Sequence, residues 1–145
     1  MLKSTLAMML GLAACQSTMM NDEEAMRGHL EDARLETTRH LGAARVATTM
    51  PALRDEMTLH RDGMAPMMSD IGATMEGMRS HCDGSGLADM DTMHGELDSE
   101  MVQHASAMTA IDTLPAATTE VERHADVMFT MMDGMGGAMG RMECR

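Results

Sequence analysis

The sequence predicts an all-α fold, an antiparallel four-helix bundle built from two duplicated helical hairpins. Three observations carry that prediction. Beyond residue 21, apolar residues recur at alternating steps of three and four, the spacing of a helical seam. Strong breakers (Pro51, the run Asp83-Gly84-Ser85-Gly86, and Pro115) cut the chain into four segments. An offset of 64 residues carries His40 onto His104, His60 onto His124 and Pro51 onto Pro115.

Helix 1 is expected from Asp22 to about Thr48. Asn21 or Asp22 can cap it, and Glu23 and Glu24 place negative charge in its first turn. Helix 2 opens at Pro51, where a first-turn proline loses no needed hydrogen bond, and ends near Cys82. Gly63 and Pro66 strain its middle, since an interior proline removes a backbone donor. Helix 3 spans about Leu87 to Asp112 with the seam Met90, His94, Leu97, Met101, His104 and Met108. Helix 4 spans about Ala117 to Met142, and its glycines (Gly134, Gly136, Gly137, Gly140) lower its intrinsic helicity. The hairpins are therefore 22–82 and 87–145. Neither buries its stripe alone, so they are expected to close on each other.

The first residues read as an address. Met1-Leu2-Lys3 is a short positive start, Ser4 to Leu12 is mostly apolar, and Leu12-Ala13-Ala14-Cys15 follows. The apolar run is too short to span a bilayer. This segment resembles the lipobox signal of bacterial lipoproteins. That resemblance implies a signal peptide over 1–14, a lipidated Cys15, and a short tether over 15–21 ahead of the 22–145 bundle. It also implies a periplasmic, cell-envelope location. Gln16 after the cysteine suggests the outer membrane by that family's sorting tendency.

After loss of Lys3, ten arginines face 23 acidic residues, a net charge of −13. Such a surface repels nucleic acid and anionic lipid, so the membrane is expected as a partner through the lipid anchor alone. There is no Trp or Tyr and a single Phe, which argues against stacking sites for bases or large planar cofactors. The surplus of negative charge suits cations.

Four times a glutamate precedes a histidine by four residues: Glu36–His40, Glu56–His60, Glu100–His104 and Glu120–His124. His40 lies eleven residues before Pro51 and His60 nine after it; His104 and His124 flank Pro115 in the same way. In an antiparallel bundle, similar distances from the loops mean similar heights. The four histidines therefore fall on one layer at the same seam position. Four neutral imidazoles from four helices make a tetrahedral nitrogen site for copper, zinc or another divalent transition metal. Glu36, Glu56, Glu100 and Glu120 flank the seam, where a carboxylate can accept the remaining N–H of a ligating imidazole.

The chain holds 23 methionines. Methionine fills cores flexibly, and its thioether is also a soft ligand that suits Cu(I). Met64 and Met128, then Met67 and Met131, are candidate soft ligands below the layer, with His94 at mid-height. Cys82 and Cys144 both fall at the end remote from the proline loops. They read either as a disulfide, which an extracytoplasmic compartment permits, or as further soft ligands. Haem attachment, phosphate-loop and nucleophile-elbow motifs are missing, as is the Glu-x-x-His spacing of di-iron bundles. The expectation is an envelope protein that binds and sequesters copper, with Cu(I) favoured. The alternatives are a bundle-core metalloenzyme oxidising metal ions, and a structural protein holding Zn(II) or another divalent metal. The likeness to Met- and His-rich bacterial copper-handling proteins is one of composition.

Overall fold

The computed structural model describes the backbone of residues 3–144 and the side chains of residues 21–144. Four helices occupy almost all of it: α1 (Lys3–Val46), α2 (Met50–Met78), α3 (Ser85–Ala110) and α4 (Leu114–Met139). α1 lies beside α2 and α4, and α3 lies beside α4 and α2, so the predicted antiparallel bundle forms with α1/α3 and α2/α4 as its diagonals.

The breakers act near where the sequence puts them. Thr49 caps α2, its hydroxyl accepting from the Ala52 amide, and Pro51 sits in the first turn. Pro115 takes the same place in α4. α2 runs through Pro66 without ending, and α4 runs through its glycines to Met139. Gly134 has a packing reason: a Cβ there would strike the Met93 sulfur of α3. Gly84 takes a φ of 95°, a left-handed conformation that suits glycine, and turns the chain into α3. A Cβ at Gly86 would overlap the Ala138 carbonyl oxygen, so α3 begins in direct backbone contact with the end of α4.

α1 departs from expectation. It begins at Lys3, so residues 16–21 are helix rather than a tether, and neither Asn21 nor Asp22 caps it. Between Lys3 and Asn21 there is no proline and one glycine, so nothing there breaks a helix. The lipobox and Cys15 lie outside the residues whose side chains are described. Among the described residues, no helix is long and apolar enough to cross a membrane.

The core has two apolar clusters. The larger fills the end remote from the proline loops and is chiefly methionine, including Met26, Met64, Met75, Met90, Met128 and Met135. The smaller lies under the proline loops around Leu53, Met108, Ala117 and Val121. Burying a methionine side chain contributes about 1.5–3 kcal/mol, so these contacts dominate cohesion. Between the clusters lie His40, His60, His104 and His124, all fully buried.

Cys82 and Cys144 are not soft ligands; they form a disulfide, with Cα atoms 3.9 Å apart. Their helices are diagonal, but past each helix the chain makes a short turn (Ser80 and His81; Arg141 and Met142) before the two segments meet. There β1 (Cys82–Asp83) and β2 (Glu143–Cys144) pair antiparallel, Cys82 opposite Cys144. A disulfide sulfur is not a thiolate, so this pair offers no strong metal ligand.

Candidate metal centre

The four layer histidines come one from each helix, and each holds its Nδ1 on a glutamate. The pairing crosses between helices. His40 meets Glu56 at 3.1 Å and His60 meets Glu36 at 3.1 Å, both between α1 and α2. His104 meets Glu120 at 3.0 Å and His124 meets Glu100 at 2.8 Å, both between α3 and α4. Within each hairpin, then, each glutamate serves the histidine of the opposite helix.

An arginine ties each glutamate pair. Arg39 bonds to Glu36 at 2.7 Å and to Glu56 at 2.9 Å. Arg123 bonds to Glu120 at 2.7 Å and to Glu100 at 2.7 Å. Burial pushes the Glu36 carboxyl up, but hydrogen bonds from Arg39 and His60 outweigh it and hold it below its ordinary value. Arg123 lowers Glu120 against a smaller effect of burial, and His104 adds to the lowering. The paired carboxylates in turn hold both guanidiniums more firmly protonated than usual.

This arrangement sets the tautomer. An ionised carboxylate only accepts, so each Nδ1 carries the proton and each neutral ring leaves its Nε2 lone pair bare. Neutrality follows chiefly from burial, the largest cause that lowers all four histidines; for His60 the causes together give about 4. Further charge on neighbouring rings lowers His60 and His124 again.

The bare nitrogens lie inside the bundle with few partners. His60 Nε2 and His124 Nε2 are 3.3 Å apart. With both protons on Nδ1, no hydrogen joins them, and two lone pairs face each other. His104 Nε2 lies 3.1 Å from the Met57 sulfur, which is no donor. His40 Nε2 is buried with no hydrogen-bond partner. Buried acceptors are costly when unpaired, and none of these four faces a donor, so the layer wants a proton or a cation.

The rings do not make the single tetrahedral cage that the spacing predicts. His40 stacks on His60 (centroids 4.1 Å, planes within 8°) and His104 on His124 (3.9 Å, 6°). Lone pairs lie in their ring planes, and two parallel planes do not meet at one point. At most one ring of each stack can therefore address a given ion in ideal geometry. His60 and His124 come from different stacks and stand at 80°. Their 3.3 Å separation matches the edge of a tetrahedron with metal–nitrogen bonds of about 2.0–2.1 Å. Among the described residues, no three His, Cys, Asp or Glu side chains form a ready ligand group.

Other candidates lie apart from the layer. Met64 and Met128 are fully buried, and Met67 and Met131 pack partly buried on the same methionine cluster. His94 is half-buried between α2 and α3, 3.0 Å from the Met68 carbonyl oxygen. Arg39 and Arg123 lie off the seams and are additions to the site, and Met57, a position on the α2 seam, is a third. A signal for them exists: the α1 and α4 motifs end Arg-His (Arg39-His40, Arg123-His124), whereas those of α2 and α3 begin Glu-Met (Glu56-Met57, Glu100-Met101). No protein-family model, curated protein or solved structure matches the chain.

Proposed function

We propose that the protein is a cell-envelope metal-binding protein whose histidine layer takes up copper, most readily Cu(I). The observation that supports this best is the His60–His124 pair, two bare Nε2 atoms held face to face in a buried layer. Their distance fits two ligands of one ion. The Met57 thioether beside His104 favours a soft ion over Zn(II). Charge agrees: four glutamates and two arginines leave a surplus of two negative charges around neutral rings. One dication or two Cu(I) ions would neutralise it. Lipid anchoring through Cys15 would hold the bundle at the envelope, and the role would be sequestration or tolerance.

The test is Cu(I) titration of the mature protein against a chromophoric chelator. Replacing His40, His60, His104 and His124 together with Asn should abolish high-affinity binding. Unchanged affinity would reject the assignment.

A second reading, oxidation of a bound metal ion, is favoured by the split layer. Two nitrogens leave coordination positions open where a closed cage would not. Oxygen consumption on adding Cu(I) or Fe(II), lost with His60 and His124, would distinguish it from storage.

A further inference from the structure

The two hairpins are related by the offset of 64 residues, so the α1–α4 face has an equivalent in the α3–α2 face. The two faces are built differently. On the α1–α4 face, Arg34 pairs with Asp133, and Arg45 pairs with Glu122 at 3.1 Å. Arg34 also lies over the Phe129 ring. At the equivalent α3–α2 positions stand Asp98 and Ser69, Thr109 and Thr58, and Ala65 for Phe129. Both latches are missing there, and the bulky ring is a methyl.

What lies along the α2–α3 face is open space lined by soft donors. A cavity of about 160 Å³ is lined by Met57, His60, Met101 and His104, and so reaches the layer. Next to it a cavity of about 500 Å³ is lined by Met64, Met68, His94 and Met101. The α1–α4 cavity, about 310 Å³, is lined by no histidine. Substitutions between the repeats point the same way. Met57, His94 and Met101 replace Val121, Leu30 and Thr37 of the other face. Met57 covers His104 Nε2, whereas the equivalent His40 Nε2, with Val121 in place of a methionine, has no partner.

We propose that the α2–α3 face is the port by which Cu(I) enters the histidine layer, with Met101 and Met57 as the thioethers that pass it to His104 and His60. The inference rests on the reading of that layer as a Cu(I) site. The transfer is ligand exchange. The copper–sulfur bond to Met101 breaks as a copper–nitrogen bond to the layer forms, the Met57 sulfur beside His104 stays on the ion, the metal stays Cu(I), and no proton moves because Nε2 carries none. Thioethers suit this step, being soft enough to capture Cu(I) and neutral enough to release it.

The experiment measures anaerobic Cu(I) uptake from a chromophoric chelator by the mature protein, both as a rate and at equilibrium. One variant installs the missing latches (Ser69→Asp with Asp98→Arg, Thr58→Glu with Thr109→Arg). Uptake should slow at least tenfold while the copper bound at equilibrium is unchanged. A second variant, Met101→Leu, conserves volume and keeps the fold; its uptake should slow several-fold. Wild-type rates in the folded latched variant and in Met101→Leu, with normal equilibrium binding, would overturn the port alone. If the wild type binds no Cu(I) at equilibrium, the layer reading fails and the port with it.

Discussion

Glu36 accepts a hydrogen bond from His60 of the neighbouring helix, 3.1 Å away, and not from His40 one turn along its own. The four-residue spacing that marks each motif is thus not the contact it produces. Seam histidines face inward, and a flanking glutamate one turn away faces the adjacent helix, where it meets that helix's histidine. The crossed pairs couple α1 to α2 and α3 to α4 through Arg39 and Arg123.

A double-mutant cycle on stability should reveal the crossing. Glu36→Gln with His60→Asn should show a coupling of about 0.5–3 kcal/mol, as for groups in one hydrogen-bonded network. Glu36→Gln with His40→Asn should show markedly less, although these two share a helix. Equal coupling in both cycles, measured by chemical denaturation, would contradict the crossed arrangement.

The metal-free protein should lose stability as pH falls from neutrality. Below about 6.5 an unfolded imidazole takes up a proton, whereas buried His60 resists until about 4. In that window the unfolded state binds more protons, so stability falls with falling pH. His40, His104 and His124 shift in the same direction. Glu36 and Glu120, ionised more firmly than usual when folded, add a further loss below about 4.5. The total across the window should be on the order of a few kcal/mol. Denaturation midpoints at pH 7.5, 6.0, 5.0 and 4.5 would show it, and a flat profile would contradict neutral buried histidines.

Reducing the disulfide should destabilise the bundle without dissolving the layer. Cys82 and Cys144 close a loop with a sequence separation of 62, for which chain entropy predicts about 4 kcal/mol. The layer lies beyond the methionine cluster from the bridge, so Cu(I) affinity at low temperature should stay within about threefold. Thermal unfolding and copper titration with and without a reductant test the two halves separately.

Much of this was legible in the sequence because it depends on periodicity and loop position. The spacing of His40, His60, His104 and His124 from Pro51 and Pro115 placed them at one height, and the helical seams turned them inward. Ring orientation was not legible: whether His40 stacks on His60 depends on side-chain packing that spacing does not encode. Arg39 and Arg123 escaped because they break the 64-residue repeat, their equivalents being Gln103 and Leu59. Met57 read as one more core methionine, and only its contact with His104 sets it apart. The start of α1 is not legible because the polar residues after Cys15 resemble a tether, although nothing in them stops a helix.

The most direct measurement is the X-ray absorption spectrum of the copper-loaded mature protein at the copper edge. The expected spectrum is that of Cu(I) with an imidazole shell, recognisable by scattering from the outer ring atoms, and a sulfur neighbour that disappears in Met57→Leu. A shell of sulfur alone, with no imidazole scattering, would contradict the histidine layer as the place where copper binds.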